Sequence, residues 1–472
     1  MTTPQGPQPQ DIPPFDASKP HHARPHLRPT VQGQPVGVKN PQGQQQVMLA
    51  LGDRAQIAER SVVTSPLAQF MLGQMNGERD VRAIADAAAK QASQANVPQE
   101  AIPHINEDNV KLLVAQLDNA GLLMGPTFNE ILHKFREQFD DSDTLPPAST
   151  ASTADVLVQQ EIGEEATDDQ KKELGPEKLR EAMEKWIDEA LKPVEDPSLD
   201  TLPRAVIVPQ LDYFRGWMNY AHVYGRLRVV DRPDRVVILG ANNFGFGTGV
   251  VGCNKSYETP LGRCDYDKDF ADRLCARLGP ENTEKLWKDR YDHEREHSIE
   301  VQLPWIQHVF GDAEKGDCPP VFGVLVHDPS RNNGESYDGK GLGILPFIDA
   351  LKGAIADAPG KTLVICSANL SHMGRSFGDQ TPFAGDSAEA NAARNKVLQH
   401  DREMIQLVSD GKAEELVSSL AWQQNPTRWN STGAIVATMK ALDAKKVRLL
   451  NFAAAGDNQS FAFISSMAAI IE

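Results

Sequence analysis

An α/β fold with a mainly parallel sheet flanked by helices is predicted for the C-terminal part of this 472-residue chain, from about Arg204 to Glu472. Short, continuous apolar runs occur there: Ala205-Val-Ile-Val208, Arg235-Val-Val-Ile-Leu239, Val321-Phe-Gly-Val-Leu-Val326 and Thr362-Leu-Val-Ile-Cys366. Helical stretches separate them. Runs this short and apolar are what strands buried on both faces look like. In such sheets ligands bind at the carboxyl ends of the strands. The residues to inspect are therefore Gln210, Asp212 and Tyr213 after the first run, Asn242 and Asn243 after the second, His327 and Asp328 after the third, and Asn369, Ser371 and His372 after the fourth.

The length suggests two or three units at roughly 150 residues each. Residues 1–41 are rich in Pro, Gln and His and read as a disordered arm, because they offer little apolar surface to repay ordering. His21, His22 and His26 read as part of that solvated tail. Order is expected to begin with a strand at Gln46-Val-Met-Leu-Ala-Leu51, opening a small winged-helix-like domain over 42–139. Ser65-Pro66 supplies a cap and a helix-opening proline, with Leu67, Phe70 and Met71 on one face and Gly77 as the stop. A second helix carries Val81, Ile84 and Ala85. A third starts at Asn106, aligns Val110, Leu113, Val114 and Leu117, and ends at Gly121 before an edge strand at Leu122-Leu123. Glu107, Asp108 and Asp118 accompany a single Lys111 on it, which favours protein or peptide recognition over DNA. Residues 140–203 read as an acidic linker with one helix, opened by Pro176 and striped with Leu179, Met183, Trp186, Ile187 and Ala190.

A net charge of −17 argues against nucleic acid or an anionic membrane as partner. With no apolar signal core and no run of about twenty apolar residues, a cytoplasmic protein is expected. The five cysteines, Cys253, Cys264, Cys275, Cys318 and Cys366, lack CxxC spacing, so neither a disulfide framework nor structural zinc is expected.

His293-Glu-Arg-Glu-His297 matches H-E-x-x-H literally, but its surroundings are charged almost throughout and no third ligand follows at a recognisable spacing. A chance match is the plainer reading. His297 instead stands at a helix entrance beside Glu296, which could set its tautomer. Gly240, Gly245, Gly247 and Gly249 do not have dinucleotide-loop spacing and read as flexible backbone. Ser371 and His372, adjacent on an extended backbone, point opposite ways and make a poor nucleophile and base pair.

Two resemblances follow from these residues. The segment at about 42–125 resembles PqqD-like modules that bind leader peptides beside radical-SAM enzymes, through Ser65-Pro66-Leu-Ala-Gln-Phe70, Gly77 and Leu117-Asp-Asn-Ala-Gly-Leu-Leu123. The ordered set Val208-Pro-Gln-Leu-Asp-Tyr213, Ile238-Leu-Gly-Ala-Asn-Asn243, Tyr257-Glu-Thr-Pro-Leu-Gly262, Glu296-His-Ser-Ile-Glu-Val-Gln-Leu-Pro304 and Ser367-Ala-Asn-Leu-Ser-His-Met-Gly374 resembles the Memo family over about 204–472. In bacteria that family is often called AmmeMemoRadiSam system protein B, and its fold is similar to class III extradiol dioxygenases. The resemblance implies a metal held by two histidines and a cysteine or similar residue, with an aspartate nearby. Here those positions are Gln210, Asn243, Ser371 and Asn369, while Glu296, His297 and His372 remain. Amides and hydroxyls are weak ligands for a transition metal. No cofactor is therefore expected, and a hard cation held by Asp212, Glu296 and amide oxygens ranks below a metal-free site.

Three readings stay open. The first is a binding or scaffold protein with a degenerate metal site, taking a small ligand through Gln210, Asp212, Tyr213, Asn243, Asn369 and Ser371 and a protein or peptide partner, such as a radical-SAM system, through the N-terminal domain. The second is an enzyme using Glu296, His297 and His372 as acid–base groups. The third is a metal-dependent dioxygenase or hydrolase, and Gln210, Asn243 and Ser371 stand against it.

Overall fold

The computed structural model describes residues 13–39, 44–95, 97–147, 149–312, 318–457 and 462–472. The chain divides into two compact units, Met1–Asp141 and Ser142–Glu472.

In the first unit, helix α1 (Pro20–Ala23) precedes an antiparallel sheet of β1 (Val31–Lys39), β2 (Gln45–Asp53) and β3 (Val62–Thr64). Four helices follow: α2 (Ala68–Leu72), α3 (Val81–Gln94), α4 (Glu107–Asn119) and α5 (Pro126–Asp141). The apolar stripes expected on the second and third helices are buried, with Ile84 and Ala85 on α3 and Val110, Leu113, Val114 and Leu117 on α4. Asp80 and Asn106 cap these helices, each accepting a backbone N–H three residues on. The helix expected from Ser65-Pro66 starts only at Ala68 and lasts barely more than a turn. At Leu122-Leu123 the expected strand is a single bridge, Leu27 to Leu123.

The disordered-arm expectation fails for residues 13–39; residues 1–12 and 40–41 of that segment lie outside the described residues. Strand β1 zips onto β2 from Val31 opposite Asp53 to Lys39 opposite Gln45. The buried Arg28 guanidinium donates to Asp53 at 2.9 Å and to the Gly121 carbonyl at 2.9 Å. Asp53 in turn accepts the Ile57 and Ala58 amides. The arm is poor in apolar residues, but Phe15, Leu27 and Val31 pack on the unit's core, and backbone pairing and a buried, hydrogen-bonded ion pair supply what composition alone hides.

In the second unit, β4 (Thr144–Leu145), α6 (Ser149–Ile162) and α7 (Asp168–Leu191) occupy the segment expected to be a linker. Helix α7 starts at Thr167 with a Thr167/Gln170 capping box, so Pro176 lies inside the helix and does not open it. Leu179, Met183 and Ile187 are fully buried and Ala190 nearly so. Strand β4 pairs with a later strand, β8, named below. These residues form part of the second unit's core.

Beyond them run β5 (Ala205–Val208), α8 (Tyr213–Leu227), β6 (Arg235–Ala241), β7 (Val251–Gly252), β8 (Ser256–Thr259), β9 (Gly262–Cys264) and α9 (Lys268–Trp287). Then come α10 (His297–Glu300), α11 (Leu303–Phe310), β10 (Val321–Val326), α12 (Ile344–Asp357), β11 (Thr362–Ser367) and β12 (Asn369–Gly374). The chain closes with α13 (Ala388–Ser409), α14 (Ala413–Trp422), α15 (Thr432–Ala441), β13 (Arg448–Asp457) and β14 (Ala462–Ile471). The large sheet has the order β12-β14-β5-β11-β6-β10-β7, with β13 on β14. Its centre, β5-β11-β6-β10, is parallel throughout and its flanks are antiparallel. The four strands expected from the apolar runs after Arg204 are these central ones. Among the described residues no helix is long and apolar enough to cross a membrane.

Candidate functional site

Four side chains at strand and helix ends form one hydrogen-bonded chain. Glu296 caps α10, and its fully buried carboxylate accepts the Asn243 backbone N–H at 2.6 Å, the Asn243 Nδ2 at 2.9 Å and the Ser298 N–H at 2.9 Å. Both Glu296 oxygens accept backbone N–H groups, and Asn243, just past β6, turns its NH2 toward Glu296 and its oxygen away. That oxygen accepts from Asn430 Nδ2 at 2.9 Å. The Asn430 oxygen in turn accepts from Gln210 Nε2 at 3.2 Å, which also donates to Ser431 Oγ at 3.0 Å. The polarity of the whole relay is thus set at Glu296. Its far end, Gln210 Oε1, is buried with no hydrogen-bond partner among the described residues. Asn369 completes the corner: its Oδ1 accepts the Gln210 backbone N–H at 3.0 Å, and its own N–H donates to Ser431 Oγ at 3.1 Å.

Two histidines flank this network. His297 places Nδ1 3.3 Å from Glu296 Oε1 and packs on Phe244. His372, on β12, faces Nδ1 toward the Leu370 carbonyl at 3.0 Å and the Arg428 carbonyl at 3.3 Å. Burial first, then His297 and Arg215, hold it down to a pKa of about 4. It is therefore neutral near pH 7 with the proton on Nδ1, leaving Nε2 as the lone-pair nitrogen.

The remaining sequence candidates are placed elsewhere. Tyr213 is buried and donates to the Val301 carbonyl at 2.7 Å, inside an aromatic cluster with Tyr220 and Trp305, so it is core and not a ligand contact. Asp212 caps α8 through the Arg215 N–H and pairs with the Arg215 guanidinium, which occupies the carboxylate expected to meet a ligand or a hard cation. Ser371 points into the interior and donates to Asp401 Oδ1 at 2.6 Å. The H-E-x-x-H match is not on one helix: His293 belongs to a short 3-10 turn, with Nε2 3.1 Å from the Val251 carbonyl, while His297 opens α10.

The glycine-rich loop after β6 wraps an acid. Asp292 accepts from Phe246 N–H at 2.9 Å, Gly247 N–H at 2.7 Å and Asn242 Nδ2 at 2.7 Å, and a Cβ at Gly245 would fall on its carboxylate. Burial pushes the Asp292 carboxyl up to about 6 despite those donors. Because the folded state then binds this proton more tightly than the unfolded chain does, its contribution is greatest below the unfolded value near 4. It is lost as pH rises through about 6, a change on the order of 2–3 kcal/mol. In urea unfolding across pH 4 to 7 the stability of the parent relative to Asp292→Asn is expected to fall by this amount, whatever the buried histidines add to both; parallel profiles would refute it.

Sequence reading missed Asn430, Ser431, Asp401 and Trp429. The one available signal was the polar run Trp429-Asn-Ser-Thr432 directly before the apolar helix α15.

Two places in the molecule bear on metal ligation. At the relay, every group in the positions that the family resemblance assigns to a metal is an amide or hydroxyl engaged in a protein hydrogen bond, and Gln210 and Asn243 turn N–H donors into the network. Such a donor set does not fit a transition-metal centre. Among the described residues the one metal-like cluster is His21, His22 and Asp118 in the first unit. His22 Nδ1 accepts the Asp16 N–H at 3.0 Å, so its Nε2 carries the proton and donates to Asp118 Oδ2 at 3.0 Å. That nitrogen has no lone pair for a cation, and the cluster fastens α1 to α4. These histidines are therefore not part of a solvated tail.

A family model described as Memo-like protein matches residues 172–468, beginning inside α7. The chain is similar to a MEMO1 family protein of Methanopyrus kandleri, 28% identical over 289 residues that span 60% of this chain and 88% of the relative. A MEMO1 family protein of Pyrobaculum arsenaticum is 34% identical over 289 residues, 60% of this chain and 89% of its own length. One from Pyrobaculum aerophilum is 25% identical over 292 residues, 61% and 90%.

Proposed function

The chain belongs to the Memo family, and from that premise we propose that its second unit is a binding component with a degenerate metal site. The relay from Gln210 through Asn430 and Asn243 to Glu296 carries this reading, because it fills the metal positions with donors that oppose a cation. The ligand it suits presents an N–H or O–H to the unpaired Gln210 Oε1, since a buried acceptor left without a partner costs about 1–3 kcal/mol. The first unit would recruit a protein or peptide partner, such as a radical-SAM system. Metal analysis of the purified protein tests the core of the proposal. Iron, copper and zinc are expected far below one equivalent; a stoichiometric metal lost on changing His297 or His372 would overturn it.

One observation favours a second reading, acid–base catalysis: His372 turns Nδ1 to the Leu370 and Arg428 carbonyls and so leaves Nε2 as a lone-pair nitrogen able to take a proton. Replacing Glu296 and His297 by alanine separates the two. Lost binding of a small ligand by the second unit, with an intact fold and partner capture by the first unit unchanged, supports recognition, and lost turnover with ligand binding unchanged supports catalysis.

A further inference from the structure

We propose that Cys264 and Cys318 are a reversible dithiol–disulfide pair, a modification site whose oxidant is a low-molecular-weight disulfide of the glutathione class. The two Sγ atoms lie 3.5 Å apart, in contact without a bond. Backbone pairing holds them there. Val321 donates to the Asp265 carbonyl at 2.8 Å and Asp267 donates to the Val321 carbonyl at 2.9 Å, fixing the chain after Cys264 against the chain after Cys318. Cys264 is fully buried at the end of β9, whereas Cys318 is partly exposed. The other three cysteines have no such neighbour among the described residues.

The asymmetry sets the order of events. The Cys318 sulfur, reachable from solvent, attacks one sulfur of the small disulfide, forming a mixed disulfide and releasing one small thiol. Cys264 then loses its proton and attacks the Cys318 sulfur, closing the Cys264–Cys318 bond and expelling the second small thiol. Two protein thiols are oxidised and one small disulfide is reduced to two thiols, with no other reactant. The neighbouring Cys318 thiol and burial hold the Cys264 thiol well above the ordinary range, so the second step is the slow one. The loop so closed spans a sequence separation of 54 and includes α9, Asp292, Glu296 and His297. A bond there would restrict the unfolded chain and reduce opening of the segment that anchors the relay.

Incubation of the full-length protein with glutathione disulfide, followed by alkylation and peptide mapping, tests this. Free thiols are expected to fall from five to three, with one peptide pair joined through Cys264 and Cys318, and the Tm to rise by several degrees. Dithiothreitol should reverse all of it. Cys318→Ser should abolish both changes, and Cys264→Ser should accumulate glutathione on Cys318. Persistence of five free thiols, or a stable glutathione adduct on Cys318 in the parent protein, would overturn the proposal. Should Cys264→Ser fail to fold, the parent map and Cys318→Ser still decide.

Discussion

Replacing Asp401 by alanine is expected to destabilise the second unit by about 4 kcal/mol, measured by urea unfolding at neutral pH. Asp401 on α13 is completely buried and accepts three hydrogen bonds from three segments: Ser371 Oγ of β12 at 2.6 Å, Ser465 Oγ of β14 at 2.6 Å, and Trp429 Nε1 at 2.7 Å. Burial pushes its carboxyl upward and the three donors oppose that. Alanine leaves all three donors without an acceptor in a site closed to solvent, and each such group costs about 1–3 kcal/mol. Asp401→Asn keeps one carbonyl oxygen and should lose about half as much. A second readout is local. Ser371 and His372 are neighbours on β12, and the His372 N–H is held by the Thr427 carbonyl at 2.8 Å. Loosening that strand should let water reach His372 and raise its pKa from about 4 toward the ordinary histidine range, followed by NMR titration. A variant within about 1 kcal/mol of the parent, with His372 unmoved, would mean the clasp is not structural.

The central sheet was legible because each buried parallel strand is written as a local apolar run: Ala205–Val208, Arg235–Ala241, Val321–Val326 and Thr362–Ser367 match their runs within two residues. The polar residues after those runs were legible for the same reason. Ordering of residues 13–39 was not, since it rests on partners far along the chain, Arg28 with Asp53 and His22 with Asp118, which no local composition reveals. The segment at 140–203 was misread in the same way. Glu300, within the Glu296–Pro304 block, accepts the Ser149 and Thr150 amides and so caps α6 from 150 residues away. Asn430 escaped notice because its role is to join Gln210 to Asn243, a relation that exists only once three strand and helix ends meet.

That relation makes the most specific forecast at the site. Glu296→Gln should cost about 3 kcal/mol, although it changes one atom, because its effect is to reverse a polarity. The carboxylate accepts three donors, and an amide offers one oxygen and turns an NH2 toward the rest. With its oxygen in the Oε1 place the amide still accepts Asn243 Nδ2 and the Ser298 N–H but sets its NH2 against the Asn243 backbone N–H; turned over, it sets that NH2 against both Asn243 Nδ2 and the Ser298 N–H, and Asn243 could answer only by flipping its own NH2 against Asn430 Nδ2. Asn243→Asp alone should be comparably damaging, placing a second carboxylate against a buried one. Made together, Glu296→Gln and Asn243→Asp exchange acid and amide across the same contact. With its oxygen toward the backbone N–H of position 243, the new amide would donate to the new carboxylate, which would still accept from Asn430 Nδ2, so that only the Ser298 N–H loses its acceptor. The double variant should therefore recover at least about 2 kcal/mol relative to the sum of the single changes in a double-mutant cycle. Simple additivity would show that the relay does not act as a unit, and would remove the main support for a metal-free binding site in this chain.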